Sequence, residues 1–139
     1  MKISNVFKVT SVDNRSYLTT FDLDDTSIKN LLGLQFSTEH WTLPPDEYLN
    51  SGIFIFLDLE SAERFINQVT RRGRIWEAKA FGIRERKTII SLHYDTCFET
   101  CHNFLSGKTP HFKVYPHQER VNYHVADGVK LVKLVKTHF

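Results

Sequence analysis

The feature that most constrains this chain is an apolar run, Ile53-Phe54-Ile55-Phe56-Leu57, that ends on Asp58 and passes straight into apolar residues at helical spacing. An uninterrupted run of that length, rich in β-branched and aromatic residues, reads as a strand covered on both faces. Asp58 stands where a helix N-cap belongs, with Glu60 in the first turn to complement the helix dipole. Leu59, Ala62, Phe65, Ile66 and Val69 then recur at intervals of three and four, the pattern of a helix with one apolar face. Gly73 is placed to stop that helix. Ile75, Trp76, Ala78, Ala80 and Phe81 carry a second strand over 74–83. A strand–helix–strand unit between Gly52 and Ile83 is therefore the centre of the expected fold.

The flanks are read from the same rules. Val6, Phe7 and Val9 predict a first strand that turns at Asp13-Asn14, and Tyr17, Leu18 and Phe21 predict a second. Thr26 caps a short helix through Ile28, Leu31 and Leu32, closed by Gly33. Residues 35–52, punctuated by Pro44-Pro45 and Asn50-Ser51-Gly52, read as a long surface loop. Lys87 to Leu92 reads as a strand, Asp95 to Leu105 as a second main helix ending at Gly107 and Pro110, and Phe112 to Tyr115 as a short strand. Val121–Val125, Asp127-Gly128 and Val129–Val135 have the pattern of a β-hairpin. Alternation in its second strand is imperfect, because Val129, Leu131 and Lys133 fall on one face and Lys130, Val132 and Leu134 on the other. The expected fold class is α+β: one domain over 1–139, a mostly antiparallel sheet, continuous or split, and two main helices.

Composition narrows the function classes. The net charge is +2 with a pI near 8.6, too mild a bias to call for nucleic acid by itself and of the wrong sign for an acidic DNA mimic. No apolar run approaches the ~20 residues of a membrane span, and no signal peptide pattern opens the chain. Two cysteines, Cys97 and Cys101, do not make a disulfide framework. The expectation is a protein of the reducing cytoplasm with no membrane contact.

Several short motifs bear on chemistry. Phe21-Asp22-Leu23-Asp24-Asp25-Thr26 resembles the first motif of haloacid-dehalogenase-type phosphatases, in which Asp22 would be the nucleophile and Asp24 the acid/base beside Mg²⁺. The residues before it make a weak strand, and no later acidic metal motif follows, so an acidic turn capping a short helix accounts for it better. Cys97, Cys101, His93 and His102 lack the second ligand pair of a structural zinc site, and no metal site is assigned. No Gly-x-Ser-x-Gly, Walker or Gly-x-Gly-x-x-Gly pattern occurs, so no catalytic residue and no cofactor are assigned. The binding candidates are His40, Trp41 and Tyr48 in the long loop, where exposed aromatics beside polar groups suit a ligand or protein interface, and Arg71, Arg72 and Arg74, which with Arg84, Arg86 and Lys87 bracket one strand.

The central residues Gly52-Ile53-Phe54-Ile55-Phe56, Ala62, Phe65 and Ile75-Trp76-Glu77 resemble a set of small bacterial and phage domains with an ADP-ribosyltransferase-like architecture. The resemblance implies a split, mostly antiparallel sheet with a cleft that binds NAD in the active relatives, which use an Arg or His on the first strand, a Ser or Tyr on a middle strand and a late Glu. Here the first strand carries Lys8, the segment Ile53–Leu57 has neither Ser nor Tyr, and the late acid would be Glu119. The leading expectation is accordingly a non-enzymatic binding or inhibitory protein that contacts a host or defence protein. NAD binding or ADP-ribosyl transfer, a phosphatase through Asp22 and Asp24, and nucleic-acid binding through the arginines are the alternatives.

Overall fold

The computed structural model describes residues 2–15, 34–44, 52–67, 71–87 and 122–139. Six strands and one helix form there: β1 (Ile3–Thr10), β2 (Ile53–Ile55), α1 (Leu59–Phe65), β3 (Gly73–Phe81), β4 (Arg84–Lys87), β5 (Asn122–Ala126) and β6 (Gly128–His138). The strands make two three-stranded sheets, ordered β1-β3-β6 and β2-β5-β4, and every pairing is antiparallel. The α+β expectation with two main helices is thus corrected: among the described residues the chain is mostly β, with α1 as its one helix. The apolar stripe after Asp58 forms α1, Ile66 and Asn67 follow in a wider π-type turn, and Arg71 N–H closes back on the Ile66 carbonyl at 2.6 Å. Arg71, with φ 61, and Gly73, with φ 136, both take positive-φ backbone in the approach to β3. The second predicted helix over 95–105, the one over 26–33, and the strands over 17–21 and 112–115 lie outside the described residues.

Asp58 does cap α1, its carboxylate accepting the Ser61 N–H at 2.7 Å, and that bond holds its carboxyl below the usual range. Ala62 and Ile66 face the sheet and pack with Val9, Phe56 and Ile75. On the opposite side of the same sheet Val6, Trp76, Ala78, Ala80, Val129 and Leu131 meet Ile53, Ile55 and Ala126 of the other sheet, with Phe36 between them. The two sheets therefore share a core, and α1 covers part of the outer face of the first.

The Asp127-Gly128 pair is a corner and not the turn of a hairpin. β5 pairs with β2 and β4, whereas β6 pairs with β3, so the two strands belong to different sheets. The β3–β4 connection switches sheets at the same place, through Gly82 with φ 66. Arg84 Nη1 joins Asp127 Oδ1 at 2.5 Å, and Asp127 N–H donates to the Phe81 carbonyl at 2.9 Å, so the two corners are tied together. Gly128 is needed because Phe81 lies against it; a Cβ there would overlap the ring.

The described part of the long loop, residues 34–44, is stitched to the sheet. Phe36 is buried in the core, Thr42 exchanges both backbone hydrogen bonds with Val129, and Leu131 N–H donates to the Ser37 carbonyl. This loop segment, which has no strand or helix of its own, thus covers the outer edge of β6 up to Leu131.

Candidate functional site

Register decides which side chains share a face. β1 and β3 pair without interruption from Ile3↔Phe81 to Thr10↔Arg74. β3 and β6 do not: the pairing skips Val132 between Glu77↔Lys133 and Ala78↔Leu131, and skips Val135 between Ile75↔Lys136 and Trp76↔Leu134. Each skipped valine is a β-bulge, an extra residue that resets the alternation. The segment Lys130-Leu131-Val132-Lys133-Leu134-Val135-Lys136 repeats every three residues, and one bulge per repeat converts that period into the sheet's period of two. Lys130, Lys133 and Lys136 consequently lie on the outer face, opposite Lys79, Glu77 and Ile75, while Leu131 and Leu134 lie on the inner face, opposite Ala78 and Trp76.

The result is a cationic ridge. Glu77 stands across from Lys133, and Glu63 of α1 approaches Lys136 at 3.9 Å. Lys130 faces Lys79 directly, a like-charge cross-strand pair that disfavours the fold. Beyond Leu131 no described strand pairs with the outer edge of β6. There Val132 is 50% exposed, Leu134 and Val135 each 39%, and Phe139 94%. Charged groups set among exposed apolar ones are the composition of an interaction surface. The bulges and lysines also disrupt the regular edge that a foreign strand would need, so this surface presents side chains and not a backbone template.

The binding candidates that the sequence points to are dispersed in the fold. His40 is exposed at the bend before Trp41. Trp41 is half-buried and packs edge-on against Phe81, ring centroids 5.1 Å apart, so it closes the corner over Gly128. Arg71 and Arg72 are exposed immediately before β3, next to the Gly73↔His138 end of the ridge. Arg74 is half-buried and turned to the inner face, donating to Asn14 Oδ1 at 3.2 Å. Tyr48, Asp22, Asp24, Cys97, Cys101 and Glu119 lie outside the described residues. Sequence reading missed the lysine ridge; its signal was the KLVKLVK period, which becomes meaningful once the bulges are known.

Among the described residues no three His, Cys, Asp or Glu side chains gather as metal ligands, and no helix is long and apolar enough to cross a membrane. Compared with protein-family models, curated proteins and solved structures, the chain matches none. The likeness around Gly52–Phe56 and Ile75–Glu77 to ADP-ribosyltransferase-like domains accordingly rests on sequence pattern alone.

Proposed function

We propose that this chain is a protein-binding module that docks an acidic partner surface on the β6 ridge. The observation that carries the reading is the double bulge, which brings Lys130, Lys133 and Lys136 to one face and leaves Val132 and Val135 exposed between them. The uncompensated Lys79↔Lys130 pair fits a surface kept for a partner's carboxylates, which would relieve it on binding.

An acidic protein suits the ridge better than nucleic acid does. The net charge of the chain is only +2. Glu77 and Glu63 interrupt the positive row, and apolar side chains alternate with the lysines where a nucleic-acid groove would carry stacking aromatics.

The test compares the full chain with a Lys130→Glu/Lys133→Glu variant as baits in nuclease-treated extract. Proteins held by the natural chain, released by moderate salt and absent from the variant are the expected result. Identical captures by both baits, or a capture that disappears with nuclease treatment, would remove the proposal.

A further inference from the structure

The inner face of the β1–β3 ladder carries hydrogen-bond donors in neighbouring rows, two of which lack an acceptor. Lys8 on β1 stands directly opposite Trp76 on β3, and Thr10 opposite Arg74 in the next row of the same face. Lys8 is 6% exposed and Trp76 9%. The ammonium of Lys8 donates to the Phe54 carbonyl at 2.7 Å and sits 4.8 Å from the centre of the Phe36 ring. Two of its three protons have no described acceptor. The indole Nε1 of Trp76 and the Nε of Arg74 are both buried without a hydrogen-bond partner. Thr10 Oγ1 is already turned to the Ser11 carbonyl.

Buried polar atoms in folded proteins are paired almost without exception, and an unpaired donor costs on the order of 1–3 kcal/mol. Two such donors, in neighbouring rows of the face that also carries the Lys8 ammonium, make that face the complement of an anion. We propose that Lys8, Trp76 and Arg74 form a binding site for one carboxylate group of a small organic acid. The charge count favours a carboxylate over a dianionic phosphate, because Asp13 lies within electrostatic range of Arg74 and offsets part of its charge. In the Thr10–Arg74–Thr137 row Thr10 is fully buried while Arg74 and Thr137 are half-buried, and Leu134, opposite Trp76, is 39% exposed.

The site has a proton linkage. Burial pushes the Lys8 amine down from its usual value to about 7. Around it β2 contributes the Phe54 carbonyl, the 34–44 segment the Phe36 ring, and β3 the Trp76 indole, with Arg74 in the next row of the same face and Asp13 coupled to Arg74. A bound carboxylate favours the ammonium, so binding takes up a proton above pH 7 and weakens about tenfold between pH 6 and pH 8.

The experiment heats the full chain in sodium acetate, in sodium phosphate and in sodium chloride at equal ionic strength. The expected result is a melting midpoint raised by about 3–5 °C in acetate relative to chloride at pH 6, with a smaller rise at pH 8 and a smaller one in phosphate. Lys8→Met abolishes the acetate-specific rise, and Trp76→Phe, which deletes the indole N–H while keeping the packing, reduces it. An acetate rise of equal size in the natural chain and in Trp76→Phe, a phosphate rise larger than the acetate one, or no acetate rise at all would overturn the assignment. This outcome is independent of the β6 ridge, whose variants keep all three donors.

Discussion

The two ladders that flank β3 treat their lysines in opposite ways. On one side β1 pairs through eight consecutive residues without a break, so alternation is strict and Lys8, at an inward position, is carried into the core. On the other side β6 is broken twice, and each bulge returns the next lysine to the outer face. A regular ladder fixes a polar residue's fate by its parity alone. A bulged ladder lets a sequence with the wrong period keep its charges wet and its leucines inward, at the cost of an edge that is locally irregular. The buried amine and the exposed ridge are therefore two consequences of one rule, applied on either side of a single strand.

The largest effect that can break this comparison is on the leucines of β6. Leu131 is 1% exposed and Leu134 39%. Leu131→Ala is expected to cost about 2–5 kcal/mol in urea unfolding and Leu134→Ala about half of that or less. Equal losses would mean that the inner face extends uniformly along β6.

Next in size is the buried amine. Between about pH 7 and the amine's ordinary value of 10.5 the unfolded chain holds a proton that folded Lys8 does not. Stability from this group therefore rises with pH across that window, with a slope of up to about 1.4 kcal/mol per pH unit, and its penalty is complete below pH 7. Lys8→Met should be more stable than the natural chain at pH 7, and the gap should narrow as pH approaches 10. A gap that is constant with pH would show that Lys8 titrates normally and is not held in the core.

The smallest effect is on the ridge itself. Lys130→Glu replaces the repulsive pair with Lys79 by an attractive one and is expected to stabilise the chain by about 0.2–1 kcal/mol in thermal unfolding. The same substitution should weaken partner capture. A variant that loses stability would place Lys130 away from Lys79.

Much of the framework was legible from local pattern. Asp58 and the apolar spacing after it start a helix, and the runs Ile53–Ile55 and Ile75–Phe81 lie in strands, because capping and hydrophobic periodicity are properties of short segments. What was not legible depends on distant partners. Asp127-Gly128 carries the residue signal of a tight hairpin, but the reason for Gly128 is the Phe81 ring from another strand, and that contact makes a corner. The apolar stripe continues past Phe65 to Val69, and regular α-helix covers its first part, with Ile66 and Asn67 in a wider π-type turn. The imperfect alternation of 129–135 was visible; that it signals bulges emerges from the register with β3. Among the candidate residues, Arg74 stands out by its charge, whereas Lys8 and Trp76 look like ordinary strand residues until pairing sets them face to face.

The account rests on the bulges, and the most direct measurement is the nuclear Overhauser contact between the Trp76 indole ring and β6. With Val132 and Val135 bulged, the ring faces Leu134, and cross-peaks to the Leu134 methyl groups are predicted. An unbroken ladder continuing from Ala78↔Leu131 would set Lys133 there in its place. Cross-peaks from the indole to the Lys133 side chain, with none to Leu134, would contradict the ridge and the function drawn from it.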